Sequence, residues 1–393
     1  CRRRSWPARQ VRARRLGTWE GGAGGGGSRT RVAAVSPAMW WLPLLMPIKQ
    51  AYADTECFAF CGRGQGGLNN YMAYVNGAYA YARRKNLRFL ATAIDPPSRV
   101  NNISAGEFAD LFGAREWRCD APRDPSGATA VRELVWTSSE RYDAPDAAAL
   151  DRGLGVARAW RTSDVVEGCD AVLQWAVDDK AGRGFVSFDY SSSRDFFRRR
   201  YRAARGAPPR PPRDVVDVVV HYRLGDVASA TEADLKHVHD HHRTSAYEFR
   251  KRSTPARLAP LVAVLERTAS LGPWALACRV VSDSPDHAEV AALEAALARF
   301  CAPGAAPGSS ARAHLDALAG ATVTVCRSSG FCHLAAVLSG GAVLGSKSHQ
   351  LPPSFGNVVG LRHGLGNVTG DGPVRRAATQ LDRLLRELRA AAG

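Results

Sequence analysis

Val215-Val-Asp-Val-Val-Val220 runs without a break into His221-Tyr-Arg-Leu-Gly-Asp226, and the reading of this stretch decides the fold. An apolar, β-branched run ending in a polar turn is what a strand covered on both faces of a parallel sheet requires. Working outward, apolar spacing predicts helices at 255–270 (Leu258, Leu261, Val262, Leu265) and 286–300 (Val290, Leu293, Leu297, Phe300). Further helices are predicted at 311–318 and 330–339, with strands at 277–281, 322–326 and 342–344. An amphipathic helix at 374–391 carries Leu381, Leu384, Leu385 and Leu388 on one face. Strands alternating with helices predict an α/β, doubly wound parallel sheet.

The first half repeats the theme once. A short strand at 57–60 breaks at Gly62-Arg-Gly-Gln-Gly-Gly67, and the spacing of Leu68, Met72, Val75 and Tyr79 predicts a helix over 68–84. A strand at 87–94 completes one Rossmann-like unit. Residues 95–205 show no periodicity that traces their strands, and the basic, proline-rich text at 198–214 predicts an extended linker.

In a doubly wound sheet, ligands bind outside the carboxyl ends of the strands. Three predicted strands end there in polar residues: His221–Asp226, Ser282-Asp283-Ser284, and Arg327-Ser328-Ser329-Gly330, the last entering a helix directly. A helix N-terminus offers unsatisfied N–H groups and the positive end of the peptide dipole. An arginine opposite it adds a forked, permanently charged donor, so the edge suits a pyrophosphate such as that of a nucleotide sugar. Each piece also has a purely structural reading: His221 capping the sheet edge, Arg223 paired with Asp226, Ser328 and Ser329 capping a helix. Their convergence on one edge favours the binding reading.

Net charge does not decide the partner. The chain of 393 residues carries 53 basic and 37 acidic residues, a net of +16. Residues 1–38 hold nine Arg against one acid, Glu20, and so supply +8 of that total. Only six of the basic residues are Lys, a bias that fits GC-rich coding as well as it fits a polyanion partner. No recognition fold or interleaved aromatics accompany the basic runs at 1–15 and 198–205, so no nucleic acid is expected. At 45% apolar and mixed in sign, the chain is not of the disordered, collagen-like or multi-spanning class.

The text opening at Cys1 is Arg-rich and low in complexity, and is expected to be disordered or an extension of the gene model over 1–38. Residues 39–53, Met39 to Ala53, read as a signal peptide: a short apolar core interrupted by Pro43 and Pro47, then Ala51-Tyr-Ala53. The core is shorter than the ~20 residues of a spanning helix, so no stable membrane span is expected. Eight further cysteines (57, 61, 119, 169, 278, 301, 326 and 332) suit a disulfide framework whose connectivity the sequence leaves open. Their spacings exclude a structural zinc knuckle, and His237–His242 reads as a solvated loop rather than a metal site. Asn102 and Asn367 head glycosylation sequons.

The motif HYRLGD at 221–226 resembles the H-x-R-x-G/T-D signature of the GT-B fucosyltransferase superfamily, which includes α1,2-, core α1,6- and protein O-fucosyltransferases. Residues 62–90 resemble that group's glycine/asparagine loop and helix, and 318–344 its last motif, in the same order. Leu224-Gly225 stands where the core α1,6 enzymes usually carry Arg-Thr. The resemblance implies a GT-B fold, two Rossmann-like doubly wound domains facing a central cleft. It divides the chain into an acceptor-side domain at 54–205, a linker at 206–214, a nucleotide-sugar domain at 215–372 and a C-terminal helix at 373–393.

It implies a metal-independent hexosyltransferase that moves L-fucose from GDP-fucose, its donor substrate and not a cofactor, to a glycan or glycoprotein in the ER or Golgi lumen. On this resemblance Arg223 holds the β-phosphate, and Ser328, Ser329, Gly330 and Phe331 cradle the pyrophosphate. His221 would contact the base or ribose and Asp316 would read guanine, with Asp283 also among the nucleotide-sugar-binding residues. Gly66, Gly67, Asn69 and Asn70 would line the acceptor side. The catalytic base would be Glu232, or else Asp226. Another nucleotide sugar, or a non-catalytic nucleotide- or glycan-binding relative, are the alternatives.

Overall fold

The computed structural model describes residues 56–62, 68–92, 105–119, 123–136, 153–177, 187–206, 215–225, 228, 231, 233, 254–327, 329–346, 355–361 and 371–392. The expected signal segment, the linker at 206–214 beyond its first residue, the sequons at Asn102 and Asn367, and His237–His242 lie outside them. Gly66, Gly67, Asp226, Glu232 and Ser328 do so as well.

The second half is a six-stranded parallel sheet. Its strands are β6 (Val215–His221), β7 (Ala275–Val281), β8 (Ala302–Pro303), β9 (Val323–Cys326), β10 (Ala342–Ser346) and β11 (Val358–Leu361). They lie in the order β11-β10-β9-β6-β7-β8. That is the 3-2-1-4-5-6 order of a doubly wound nucleotide-binding sheet, with β6 first in sequence and its direction of winding reversing between β6 and β9. Alternation along β6 explains why it is buried on both sides. Val216, Val218 and Val220 pack with Leu258, Leu261 and Leu265 of α4 (Pro255–Leu271) and Leu381 and Leu385 of α8 (Asp371–Ala392). Val219 faces the opposite layer, with Leu315 and Leu318 of α6 (Ala311–Gly320) and Leu334 and Leu338 of α7 (Gly330–Leu338). Asp217, the one acid in the run, is neutralised across the sheet by Arg279 at 2.8 Å. Burial raises its carboxyl above the usual range while that arginine lowers it. Helix α5 (Ala288–Leu297) completes the α4 side through Val290, Leu293 and Leu297.

The first half departs from a fully parallel doubly wound sheet. Strands β1 (Glu56–Gly62), β2 (Arg88–Leu90), β3 (Thr129–Trp136), β4 (Leu154–Thr162) and β5 (Ala171–Val177) take the order β2-β1-β5-β3-β4. Four are mutually parallel, but β4 runs antiparallel to β3. The reason is legible in β4 itself: Leu154-Gly-Val-Ala-Arg-Ala-Trp-Arg-Thr162 leaves most of its residues partly or wholly exposed. Such a half-solvated strand suits an antiparallel edge rather than a doubly covered interior. The helix α1 (Leu68–Arg84) forms as predicted, and Tyr71 and Met72 pack with Phe58 and Phe60 of β1. Asn76, on the same helix and fully buried, donates to the carbonyls of Ser187 at 2.8 Å and Asp189 at 2.9 Å.

The two sheets share one core. Helices α1, α2 (Ala105–Phe112) and α3 (Arg194–Arg205) of the first half pack in the same hydrophobic cluster as α6 and α7 of the second. Residues 52–393 accordingly form one compact unit. The arginines expected in an extended linker at 198–205 are helical, because Phe197 and Tyr201 bury on one face of α3. Two of them have acidic partners, Arg200 with Glu116 and Arg205 with Asp316. The eight cysteines from Cys57 onward pair: Cys57–Cys169, Cys61–Cys119, Cys278–Cys301 and Cys326–Cys332. Among the described residues no helix is long and apolar enough to cross a membrane, and no group of acidic, His or Cys side chains could hold a metal.

Candidate functional site

Strand register brings three of the predicted segments together. His221 at the end of β6 is level with Val281 of β7, and Val220 is level with Val325 of β9. The segments 222–225 and 282–284, with Arg327, Ser329 and Gly330, therefore leave the sheet side by side, at the point where the winding reverses. The Tyr222 amide donates to the Val281 carbonyl at 2.9 Å, and the Tyr222 hydroxyl donates to Glu289 of α5. Asp283 then reaches across: its Oδ1 accepts the Leu224 N–H at 2.9 Å and the Gly225 N–H at 2.7 Å. A Cβ on Gly225 would come within 2.1 Å of Asp283 Oδ2, so this position is glycine because a carboxylate occupies the side-chain space. Arg223, between the anchored Tyr222 and Leu224, is half-buried.

On the other side of β6, Ser329 is the N-cap of α7 and its hydroxyl accepts from the Cys332 N–H. The Cys326–Cys332 bridge closes the turn that contains it. Arg327 points away, donating to the Arg257 carbonyl at the start of α4; burial lowers its pKa to about 10. Phe331 in the first turn of α7 lies against His221, with ring centroids 5.8 Å apart.

Asn69 joins this corner from the first half of the chain. It is 4% exposed, and a Cβ on Gly330 would approach its Cβ and Nδ2 at 3.1 Å. Its Oδ1 is buried with no hydrogen-bond partner, beside the N-terminus of α7. Asn70, by contrast, is exposed.

Two histidines that the sequence did not single out complete the cluster. His314 in the first turn of α6 and His333 in α7 both act on His221, whose pKa is lowered to about 4. Burial is the largest cause; Asp283 opposes it, and Arg223, His314 and His333 reinforce it. Helices preceding and following β9 begin at the same sheet edge, so their early residues were the available signal. His221 is thus neutral at pH 7. An unfolded chain takes up its proton near pH 6.5, whereas the folded one resists until about pH 4. Stability from this group is complete above pH 6.5 and falls as pH drops toward 4, by up to about 3 kcal/mol. Urea unfolding at pH 7 and 4.5 is expected to show a smaller pH loss in His221→Gln than in wild type; equal losses would contradict it.

Asp316 of α6 faces α3. Its carboxylate accepts from the Tyr201 hydroxyl and from two nitrogens of Arg205, tying α6 to α3. The carboxylate expected to read guanine is thus engaged by a guanidinium and a phenol in this structure.

No protein-family model and no curated protein matches the chain. Among solved structures, POFUT1 in complex with GDP aligns over 72% of this chain and 95% of that one, at 12% identity and a TM-score of 0.35. POFUT1 in complex with GDP-fucose aligns over 73% and 94%, at 14% identity and a TM-score of 0.35. The POFUT1 apo-form aligns over 72% and 94%, at 12% identity and a TM-score of 0.33.

Proposed function

We propose that this chain is a glycosyltransferase of GT-B type that transfers L-fucose, with inversion, from GDP-fucose to a hydroxyl of a glycan or protein. The observation that carries this reading is the meeting of the His221-x-Arg223-x-Gly225 turn with the N-terminus of α7 at the switch point of a doubly wound sheet. There the α7 amides and the Ser329 cap would receive the pyrophosphate, with Ser328 and Gly330 beside them. Arg223 would bind the β-phosphate and neutralise the charge that grows on it as the bond to the sugar breaks. His221, uncharged and packed on Phe331, would bound the nucleoside side.

In the transfer, the acceptor oxygen attacks the anomeric carbon opposite the phosphate. The bond from that carbon to the phosphate oxygen breaks with its electrons, leaving GDP, and the acceptor proton passes to a carboxylate. Glu232 is the first choice for that base and Asp226 the second. No metal is assigned, since a fixed arginine and a helix N-terminus supply the positive potential. Four disulfides support folding in the ER or Golgi lumen, where they persist.

Thermal unfolding tests the donor. GDP at a hundred times its Kd adds about 2.7 kcal/mol to a protein that binds it only when folded. The whole chain is expected to show such a shift with GDP and GDP-fucose. Arg223→Ala is expected to weaken GDP by about 10- to 100-fold, the worth of one charge-assisted bidentate contact. Stabilisation by UDP- or ADP-sugars but not GDP would sink the fucosyl assignment. GDP binding without donor hydrolysis or transfer would favour a non-catalytic nucleotide-binding relative.

A further inference from the structure

We propose that Asp283 is a positioning residue for the donor site: it clamps the turn after β6 so that Arg223 is presented in one fixed orientation. The inference rests on the assignment of Arg223 to the donor phosphate, and gives Asp283 a different task from contacting the nucleotide.

Three observations carry it. Asp283 Oδ1 accepts both amides that follow Arg223, Leu224 at 2.9 Å and Gly225 at 2.7 Å. The turn leaves no room for a Cβ at Gly225, which would meet Asp283 Oδ2 at 2.1 Å. Gly225 does not adopt a positive φ, so the demand for glycine comes from this carboxylate and not from backbone conformation. On the other side of Arg223, the Tyr222 amide is bound to the Val281 carbonyl. Both flanks of the arginine are therefore hung on the end of β7, and α5 adds a third tether through Glu289 and the Tyr222 hydroxyl.

An arginine recognises phosphate as a planar fork, and its affinity depends on direction as well as distance. Two charge-assisted amide bonds to one carboxylate oxygen hold the backbone that sets that direction. A displacement of about 1 Å in such a group can cost a hundredfold in function.

The test uses the whole chain, GDP as the probe, and amide hydrogen exchange at Leu224 and Gly225. Asp283→Ala is expected to raise the Kd for GDP by about 10- to 100-fold and to speed exchange at both amides. Asp283→Asn keeps an oxygen acceptor in the same place, and is expected to hold GDP within about threefold of wild type with exchange still slow. Gly225→Ala is expected to match Asp283→Ala, and the double variant to be no worse than either, because both break the same contact. If Asp283→Asn binds GDP as weakly as Asp283→Ala while both amides stay protected, the carboxylate touches the ligand and the proposal is overturned. Normal GDP affinity in Asp283→Ala overturns it equally. Should wild type not bind GDP at all, the donor assignment falls, whereas the clamp is still judged by exchange alone.

Discussion

Replacing Arg194 with Ala is expected to lower the unfolding free energy by about 3–4 kcal/mol, seen as a lower urea midpoint with an unchanged slope. Arg194 opens α3 and is 9% exposed, yet among the described residues no carboxylate forms an ion pair with it. Its guanidinium spends its donors on backbone and amide oxygens of the other half of the chain. Nε reaches the Val337 carbonyl at 3.2 Å, Nη1 the Phe355 carbonyl at 2.9 Å, and Nη2 the Ser339 carbonyl at 3.3 Å and Asn357 Oδ1 at 2.9 Å. Phe355 also covers its face, 4.5 Å from the ring centroid.

Val337 lies in the last turn of α7 and Ser339 is its C-cap, so the cation sits at the negative end of that helix and satisfies carbonyls that have no partner within it. Burial lowers the arginine to about pKa 10, which still leaves it charged at neutral pH. Truncation would strand several buried acceptors, each costing about 1–3 kcal/mol if water does not reach it. Arg194→Lys keeps the charge but not the fork, and is expected to fall between wild type and Ala. A loss under 1 kcal/mol for Arg194→Ala would show that these contacts contribute little to holding the halves together.

The second large effect concerns the staples of β1. Cys57 joins Cys169 across 112 residues, and Cys61 joins Cys119 across 58. Closing loops of that length removes about 4–5 kcal/mol of chain entropy from the unfolded state, of which about 2–4 kcal/mol is usually realised. The Cys326–Cys332 bridge closes only six residues and constrains the unfolded chain least. The double variant Cys57→Ala/Cys169→Ala is therefore expected to lose more stability than Cys326→Ala/Cys332→Ala, measured by midpoints in denaturant. The reverse order would mean that strain or packing at the bridges, and not loop length, sets their worth.

How much of this was legible beforehand differs between the halves. From Val215 onward, apolar spacing located the strands and helices to within a few residues, because each element buries one stripe or both faces against its neighbours. Two elements escaped: Ala302–Pro303 is too short to show a period, and Val358–Leu361 is a strand of only four residues. Between 95 and 205 no local pattern announced the sheet, since β5 reaches its place between β1 and β3 only by long-range pairing. The half-solvated β4 shows no alternation to read.

The site divides along the same line. Residue types and spacing alone determined that a strand ends in His221-x-Arg223-x-Gly225, that Ser329 precedes a helix, and that cysteines are even in number. Those are local properties, written in consecutive side chains. The partner of each acid was a tertiary matter. Asp283 and Asp316 look alike in sequence, but one closes over the turn at Gly225 and the other is taken by Arg205 and Tyr201. The same holds for His314 and His333 beside His221, for Asn69 against Gly330, and for Arg194 at the end of α7. A carboxylate or guanidinium takes the nearest complementary group in space, and which group that is depends on pairings between segments tens to more than a hundred residues apart. Only the folded chain brings those segments together.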